Sequence, residues 1–132
     1  QHKIPLIEDA ACAIGSSEEG NRCGSIADLT CFSFHPRKLL CTGEGGAILT
    51  NNDEWAEWLS VKLMHGAKGM KGMALDFPEF GYNFRLPELQ AVMGRHQLPF
   101  LDGIIKDRQN IRDEYIKHLS PLGFKAQASA PN

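Results

Sequence analysis

A glycine-rich turn between two apolar runs is the feature that most constrains how this chain folds. Residues 29–34 are rich in residues that favour a β-strand, and a short turn at 35–38 follows them directly. Three glycines at 43, 45 and 46 then indicate a tight turn with positive φ, and a further strand is predicted at 45–50. Lys38 is therefore expected at the end of a strand, held between two turns.

A carboxylate ends another apolar run near the start of the chain. Residues 4–7 predict a strand buried on both faces, and Glu8 and Asp9 follow it. Ser33 adds a hydroxyl five residues before Lys38. An amine and a carboxylate at strand ends, with a hydroxyl nearby, are the groups that pyridoxal 5'-phosphate (PLP) chemistry needs. The lysine forms a Schiff base, the carboxylate pairs with the pyridinium nitrogen, and the hydroxyl helps to hold the phosphate.

The rest of the chain predicts helices mixed with these strands. One helix is predicted at 54–64 with Asp53 as its N-cap, one from Pro87 to about residue 96, and an amphipathic one that ends at Ser120. Residues 66–81 contain four glycines and no periodicity, which predicts a long mobile loop. Strands and helices mixed in this way indicate an α/β sheet packed by helices.

Composition gives no indication of a nucleic-acid, membrane or metal partner. The net charge of −2 gives no reason to expect nucleic acid or an anionic membrane surface. No apolar run approaches the roughly 20 residues of a membrane span, and no signal peptide is visible. The four cysteines, at 12, 23, 31 and 41, lack zinc-ligand spacing, so we expect no metal site and reduced thiols in a cytoplasmic protein.

Five segments together resemble the DegT/DnrJ/StrS family of PLP-dependent nucleotide-sugar aminotransferases, in the family's order and spacing. They are residues 7–11, 31–38, 42–47, 65–66 and 81–86. The resemblance implies the large domain of the fold-type I PLP-dependent transferases, a mixed sheet between helical layers. It predicts a partial cofactor-binding large domain at 1–118 and the start of the small C-terminal domain, or a frayed tail, at 119–132. Because family chains are much longer, we expect an internal fragment that is inactive alone.

The resemblance also assigns roles to individual residues. It makes Lys38 the catalytic, cofactor-binding lysine, Asp9 the partner of the pyridinium nitrogen, and Ser33 a ligand of the phosphate. Asn83 matches an asparagine that contacts the neighbouring subunit's cofactor, which implies a homodimer with shared active sites. Cys12 stands where the family has glutamine or histidine facing the cofactor's phenolic oxygen, and a thiol is a weaker hydrogen-bond donor there.

Each of these residues also has a purely structural interpretation. Lys38 could be a solvated surface lysine, and Asp9 could cap the turn that follows it. Ser33 and Asn83 could satisfy local strand ends and turns. For His35, packing or hydrogen bonding is favoured over proton transfer, and Arg85 matches an arginine near the subunit interface.

The resemblance implies transamination of a nucleotide-linked keto-sugar, with glutamate or glutamine as amino donor and ping-pong kinetics. Two alternatives are weighed against it. A PLP-dependent sugar dehydratase would carry histidine in place of the lysine, and Lys38 argues against it. A regulatory or non-catalytic protein with the PLP fold would keep the fold without turnover, yet no key residue is lost here.

Overall fold

Short strands and three helices alternate along residues 3–128, the part of the chain that the computed structural model describes. The strands are β1 (Ile7–Asp9), β2 (Ser17–Glu18), β3 (Asn21–Arg22), β4 (Leu29–Ser33), β5 (Gly46–Leu49), β6 (Met70–Lys71) and β7 (Ala74–Leu75). The helices are α1 (Asp53–Leu63), α2 (Glu88–Gln97) and α3 (Leu101–Leu119), and 3₁₀ turns lie at Leu98–Phe100 and Ser120–Leu122.

A mixed sheet of β1, β4 and β5, with β4 in the middle, organises the fold. β1 runs parallel to β4 with Asp9 opposite Cys31, and β5 runs antiparallel to β4 with Gly46 opposite Ser33. Because parallel strands end at the same edge of a sheet, the segments that follow Asp9 and Ser33 leave it side by side. The predicted α/β fold with a mixed sheet is confirmed.

The first strand differs from its prediction in position and in burial. It begins at Ile7 rather than residue 4, and Ile4, Leu6 and Ile7 are all exposed. Pro5 cannot donate to a strand ladder, and the Leu6 amide donates to the Asp28 carboxylate at 2.8 Å. Within the described residues β1 pairs only with β4, so it is an edge strand of the sheet. The prediction of a strand at 4–7 buried on both faces is therefore wrong.

Helix α1 begins one residue earlier than predicted. Asn52, not Asp53, is the N-cap, and its side-chain oxygen accepts a hydrogen bond from the Trp55 amide at 3.1 Å. Asp53 instead lies in the first turn, where a carboxylate is stabilised by the helix dipole. After the helix His65 and Gly66 both have positive φ, of 61° and 83°, which turns the chain away from the helix axis.

The predicted loop at 66–81 has secondary structure of its own. β6 and β7 form a hairpin that turns at Gly72, where φ is 67°. The Lys68 amide donates to the Asp76 carbonyl at 2.8 Å and closes the base of this hairpin. The Lys68 amine also pairs with Glu57 of α1 at 2.6 Å. The predicted loop therefore contains a short hairpin, and its mobility stays a prediction.

The helices pack over a small core. Its buried apolar side chains are Ala10, Leu40, Val61 and Leu101, and the buried hydroxyl residues are Thr30 and Thr42. The first turns of α3 lie against the loop after β1, where a Cβ at Gly15 would collide with Ile105. Among the described residues, none of the helices is both long and apolar enough to cross a bilayer.

Candidate active site

The carboxyl edge of the sheet holds two of the predicted site residues. Asp9 is the last residue of β1 and Ser33 is the last residue of β4. The parallel ladder continues one step beyond Asp9, because the Ala10 amide donates to the Cys31 carbonyl at 2.9 Å. The carboxylate and the hydroxyl are therefore set at adjacent strand ends by the backbone pairing.

Lys38 reaches the same edge through a turn. Its amide donates to the His35 carbonyl at 2.9 Å, which closes a turn around Pro36. The half-buried side chain extends until Nζ donates to the Cys12 sulfur at 2.8 Å. Because Cys12 lies only three residues after Asp9, this contact brings the loop after β4 onto the loop after β1. The structure thus gathers Asp9, Cys12, Ser33 and Lys38 at one edge.

Local hydrogen bonds orient the polar groups. Asp9 Oδ1 accepts from the Ala11 amide at 3.1 Å, so the turn-capping interpretation holds. Ser33 Oγ accepts from the His35 amide at 3.3 Å, which leaves its hydroxyl hydrogen available to another acceptor. His35 Nδ1 accepts from the Arg37 amide at 3.2 Å, which gives His35 a hydrogen-bonding role in the turn.

Glu8 belongs to a network that the sequence did not reveal. Its carboxylate accepts from the Thr30 hydroxyl at 2.9 Å, from the Cys23 thiol at 2.9 Å and from the Gly24 amide at 3.2 Å. The Cys23 and Thr30 hydrogen bonds lower the Glu8 pKa from its ordinary value. Burial, and then Glu8 itself, raise the pKa of Cys23 to about 11. Strand alternation was the available signal, because Glu8 lies opposite Thr30 on the face away from Asp9.

The glycine turn after Lys38 has the predicted backbone. Gly43 and Gly45 have φ of 85° and 129°, which confirms the expected positive φ at these two positions. Gly46 is needed for a different reason, since a Cβ there would lie 2.5 Å from the Phe32 carbonyl oxygen. The buried Thr42 donates through its hydroxyl to the Glu44 carbonyl at 2.6 Å and fixes the turn.

Gln97 fastens the segment that follows Lys38 to helix α2. Its Oε1 accepts from the Cys41 amide at 3.2 Å and its Nε2 donates to the Cys41 carbonyl at 2.6 Å. Both backbone groups of Cys41 are thus satisfied by one side chain 56 residues away. Sequence reasoning missed this contact, since a glutamine on an exposed helix carries no signal of it.

Asn83 and Arg85 lie on the segment after Gly81, not in the loops that follow β1 and β4. Asn83 forms a bridge with Met64, and its Oδ1 accepts from Arg85 Nε at 3.0 Å. Both side chains are exposed. No hydrogen bond within residues 3–128 joins either of them to Lys38.

The sequence is similar to those of one family of aminotransferases. The sequence profile of the DegT/DnrJ/EryC1/StrS aminotransferase family matches residues 1–132. A UDP-4-amino-4,6-dideoxy-N-acetyl-beta-L-altrosamine transaminase of Campylobacter jejuni is 40% identical over 117 residues, which are 89% of this chain and 31% of that protein.

Two solved structures resemble the fold closely. Helicobacter pylori PseC, an aminotransferase involved in the biosynthesis of pseudoaminic acid, matches with a TM-score of 0.84 and 29% identity, over 88% of this chain and 31% of that one. Spr1654 of Streptococcus pneumoniae, named as a sugar aminotransferase and solved in a PLP form, matches with a TM-score of 0.79 and 30% identity, over 89% and 31%. The chain thus spans about a third of the length of the relatives it matches. It belongs to the DegT/DnrJ/EryC1/StrS aminotransferase family.

Proposed function

We propose that this chain forms the cofactor-binding edge of a PLP-dependent aminotransferase that transfers an amino group to a nucleotide-linked keto-sugar. The observation that carries the proposal is the convergence of Lys38 with the loop that follows Asp9, through the 2.8 Å contact to Cys12. Membership of the family, and the sugar-nucleotide names of its relatives, support the substrate class.

The donor set fits PLP by its chemistry. The edge offers an amine at Lys38 that can hold an aldehyde, a carboxylate at Asp9 that can pair with a ring nitrogen, and a hydroxyl at Ser33 that can donate to a phosphate. The resemblance to a structure solved in a PLP form supports the same cofactor. When bound, PLP supplies an electron-accepting ring that stabilises negative charge on the carbon bearing the amino group.

In this proposal some residues of the chain bind the cofactor and Lys38 transfers a proton. Asp9, fixed by the Ala11 amide, would pair with the ring nitrogen. The Lys38 amine takes the proton from the donor's α-carbon and returns it to a neighbouring carbon, as general base and then general acid. Cys12 lies against this amine and orients it, in the place of the expected contact to the phenolic oxygen.

A homodimer with shared active sites is part of this proposal. Asn83 and Arg85 are held to each other on an exposed segment, and neither makes a hydrogen bond to Lys38 within residues 3–128. We propose that Asn83 contacts the cofactor phosphate in a second subunit, with Arg85 beside it. Glutamate or glutamine is the proposed amino donor, and a cytoplasmic location stays a prediction.

Borohydride reduction of the whole protein loaded with PLP tests the cofactor assignment. We expect the reduced protein to carry the pyridoxyl group on the peptide that contains Lys38, because this amine reaches the loop that follows Asp9. Lys38→Ala is expected to lose the label, whereas Lys62→Ala, in α1, keeps it. A label on a different lysine, found by peptide mapping, would refute the assignment.

A further inference from the structure

A polar cleft of about 510 Å³ lies between the loop after β1 and helix α3. Cys12 and Ser16 line it from the loop, Ser17 lines it from the start of β2, and Arg108 and Arg112 line it from the helix. The two arginines are four residues apart, so they lie on the same face of α3 one turn from each other. The cleft is within the size range of small-molecule sites, about 300–1,000 Å³.

The charge of the cleft is positive. Among the described residues that line it, none is acidic. Arg112 pairs with Asp113 at 2.8 Å, but both side chains are more than half exposed, so this ion pair is weak and exchangeable. Arg108 makes no ion pair within residues 3–128. Two guanidinium groups and two hydroxyls facing one space are suited to an oxyanion, either a carboxylate or a phosphate.

The cleft adjoins the amine of the proposed active site. Cys12 lines it, and the Cys12 sulfur accepts from Lys38 Nζ at 2.8 Å. Leu39, the residue after Lys38, lines it as well. The cleft therefore shares Cys12 with the proposed active site and reaches the turn that carries Lys38.

We infer that this cleft binds a carboxylate of the amino donor and that Arg108 and Arg112 position the donor for Lys38. The inference rests on the proposed function and names a binding site for one of its two substrates. Glutamate and glutamine both carry an α-carboxylate on a short chain, whose methylenes suit the apolar Leu39 side of the cleft. The phosphates of the nucleotide-linked sugar share the oxyanion chemistry, so the test includes them.

The rate of Cys12 alkylation measures whether a ligand occupies the cleft, and it needs no catalytic turnover. In the whole protein freed of cofactor, glutarate, a dicarboxylate without an amine, is expected to slow the reaction of Cys12 with iodoacetamide. Arg108→Gln with Arg112→Gln should weaken this protection about tenfold or more, because charged hydrogen bonds are lost. Lys106→Gln removes one charge from the same helix outside the cleft and should leave the protection unchanged.

The donor half-reaction of the loaded enzyme gives a second readout. With Arg108→Gln we expect the glutamate concentration at half-maximal rate to rise about tenfold. The half-saturating concentration of the keto-sugar nucleotide should stay the same. Protection of Cys12 by UDP or GDP but not by glutarate, or a raised requirement for the nucleotide sugar alone, would overturn the inference. Absence of any protection would do the same. Borohydride labelling of Lys38 would persist in each case, so the proposed function is judged separately.

Discussion

At the residue scale, two adjacent carboxylates do different work because a strand alternates its side chains. Asp9 is exposed at the strand end, while Glu8 points to the opposite face and accepts three hydrogen bonds. The Cys23 and Thr30 donors favour the charged form of Glu8, which lowers its pKa. That negative charge disfavours a thiolate next to it. Glu8 thereby joins β1 to the loop before β4.

Cys23 is predicted to alkylate only at high pH. Burial and the Glu8 carboxylate raise its pKa from 9.0 to about 11, so the reactive thiolate is scarce near neutrality. The rate of iodoacetamide modification of Cys23, followed by peptide mass spectrometry, should rise with a midpoint near pH 11. Because the folded pKa lies above the unfolded one, the contribution of Cys23 to stability is complete below pH 9 and is lost as pH rises through about 11.

Glu8→Gln is the matched control for this assignment. The variant keeps an acceptor for the thiol but removes the charge, so the midpoint should fall. It should remain above 9.0, because burial is the larger cause of the shift. Equal midpoints in the two proteins would show that Glu8 has no influence on Cys23.

At the element scale, the loop after α1 depends on two glycines that pack backbone against backbone. Gly66 has φ of 83°, and a Cβ there would collide with the Glu79 carbonyl. A Cβ at Gly81 would in turn collide with the backbone of Gly66. This close approach holds the segment that continues to Asn83 against the end of α1, where the Asn83 bridge to Met64 forms.

Gly66→Ala is predicted to be far more destabilising than Gly72→Ala. Both glycines have positive φ, so each substitution costs about 1–2 kcal/mol of backbone strain. Only Gly66 also meets backbone atoms, whereas nothing lies within 4 Å of a Cβ at Gly72. We expect a loss above about 3 kcal/mol for Gly66→Ala in urea unfolding of the whole protein. Similar losses for the two variants would contradict the proposed packing.

Local signals decided which elements the sequence could predict. Helices α1 and α2 were predicted within about one residue, since the apolar stripe of α1, Gly66 after it and Pro87 before α2 are local signals. The β6–β7 hairpin was missed because strands of two residues show no periodicity. At the site, the family pattern led to Lys38. The hydrogen bonds from Gln97 to the Cys41 backbone were missed because they join residues 56 apart and have no local sequence signal.

At the scale of the whole molecule, the chain exposes more surface than a compact protein of its mass. Its accessible surface is 10,714 Å². A compact monomer of 14.6 kDa would expose about 6,900 Å², so the excess is roughly 3,800 Å². Large apolar side chains account for part of it, among them Ile4, Leu6 and Leu89. The edge that carries Asp9 and Ser33 is therefore built on a sheet with little cover of its own.

This surface predicts how residues 1–132 behave when they are expressed alone. Within residues 3–128 the buried apolar side chains are Ala10, Leu40, Val61 and Leu101, and we expect so small a core not to offset the entropy of ordering the chain. We expect strong fluorescence of the hydrophobic dye ANS and a broad urea transition, in contrast to the whole protein at the same concentration. The strand end that carries Asp9 and the turn that carries Lys38 would then fluctuate, because their sheet is uncovered. Added PLP should therefore not be retained on Lys38 after borohydride. A sharp urea transition without dye binding would mean that the sheet and its three helices form a sufficient core, and that cofactor binding needs no further cover.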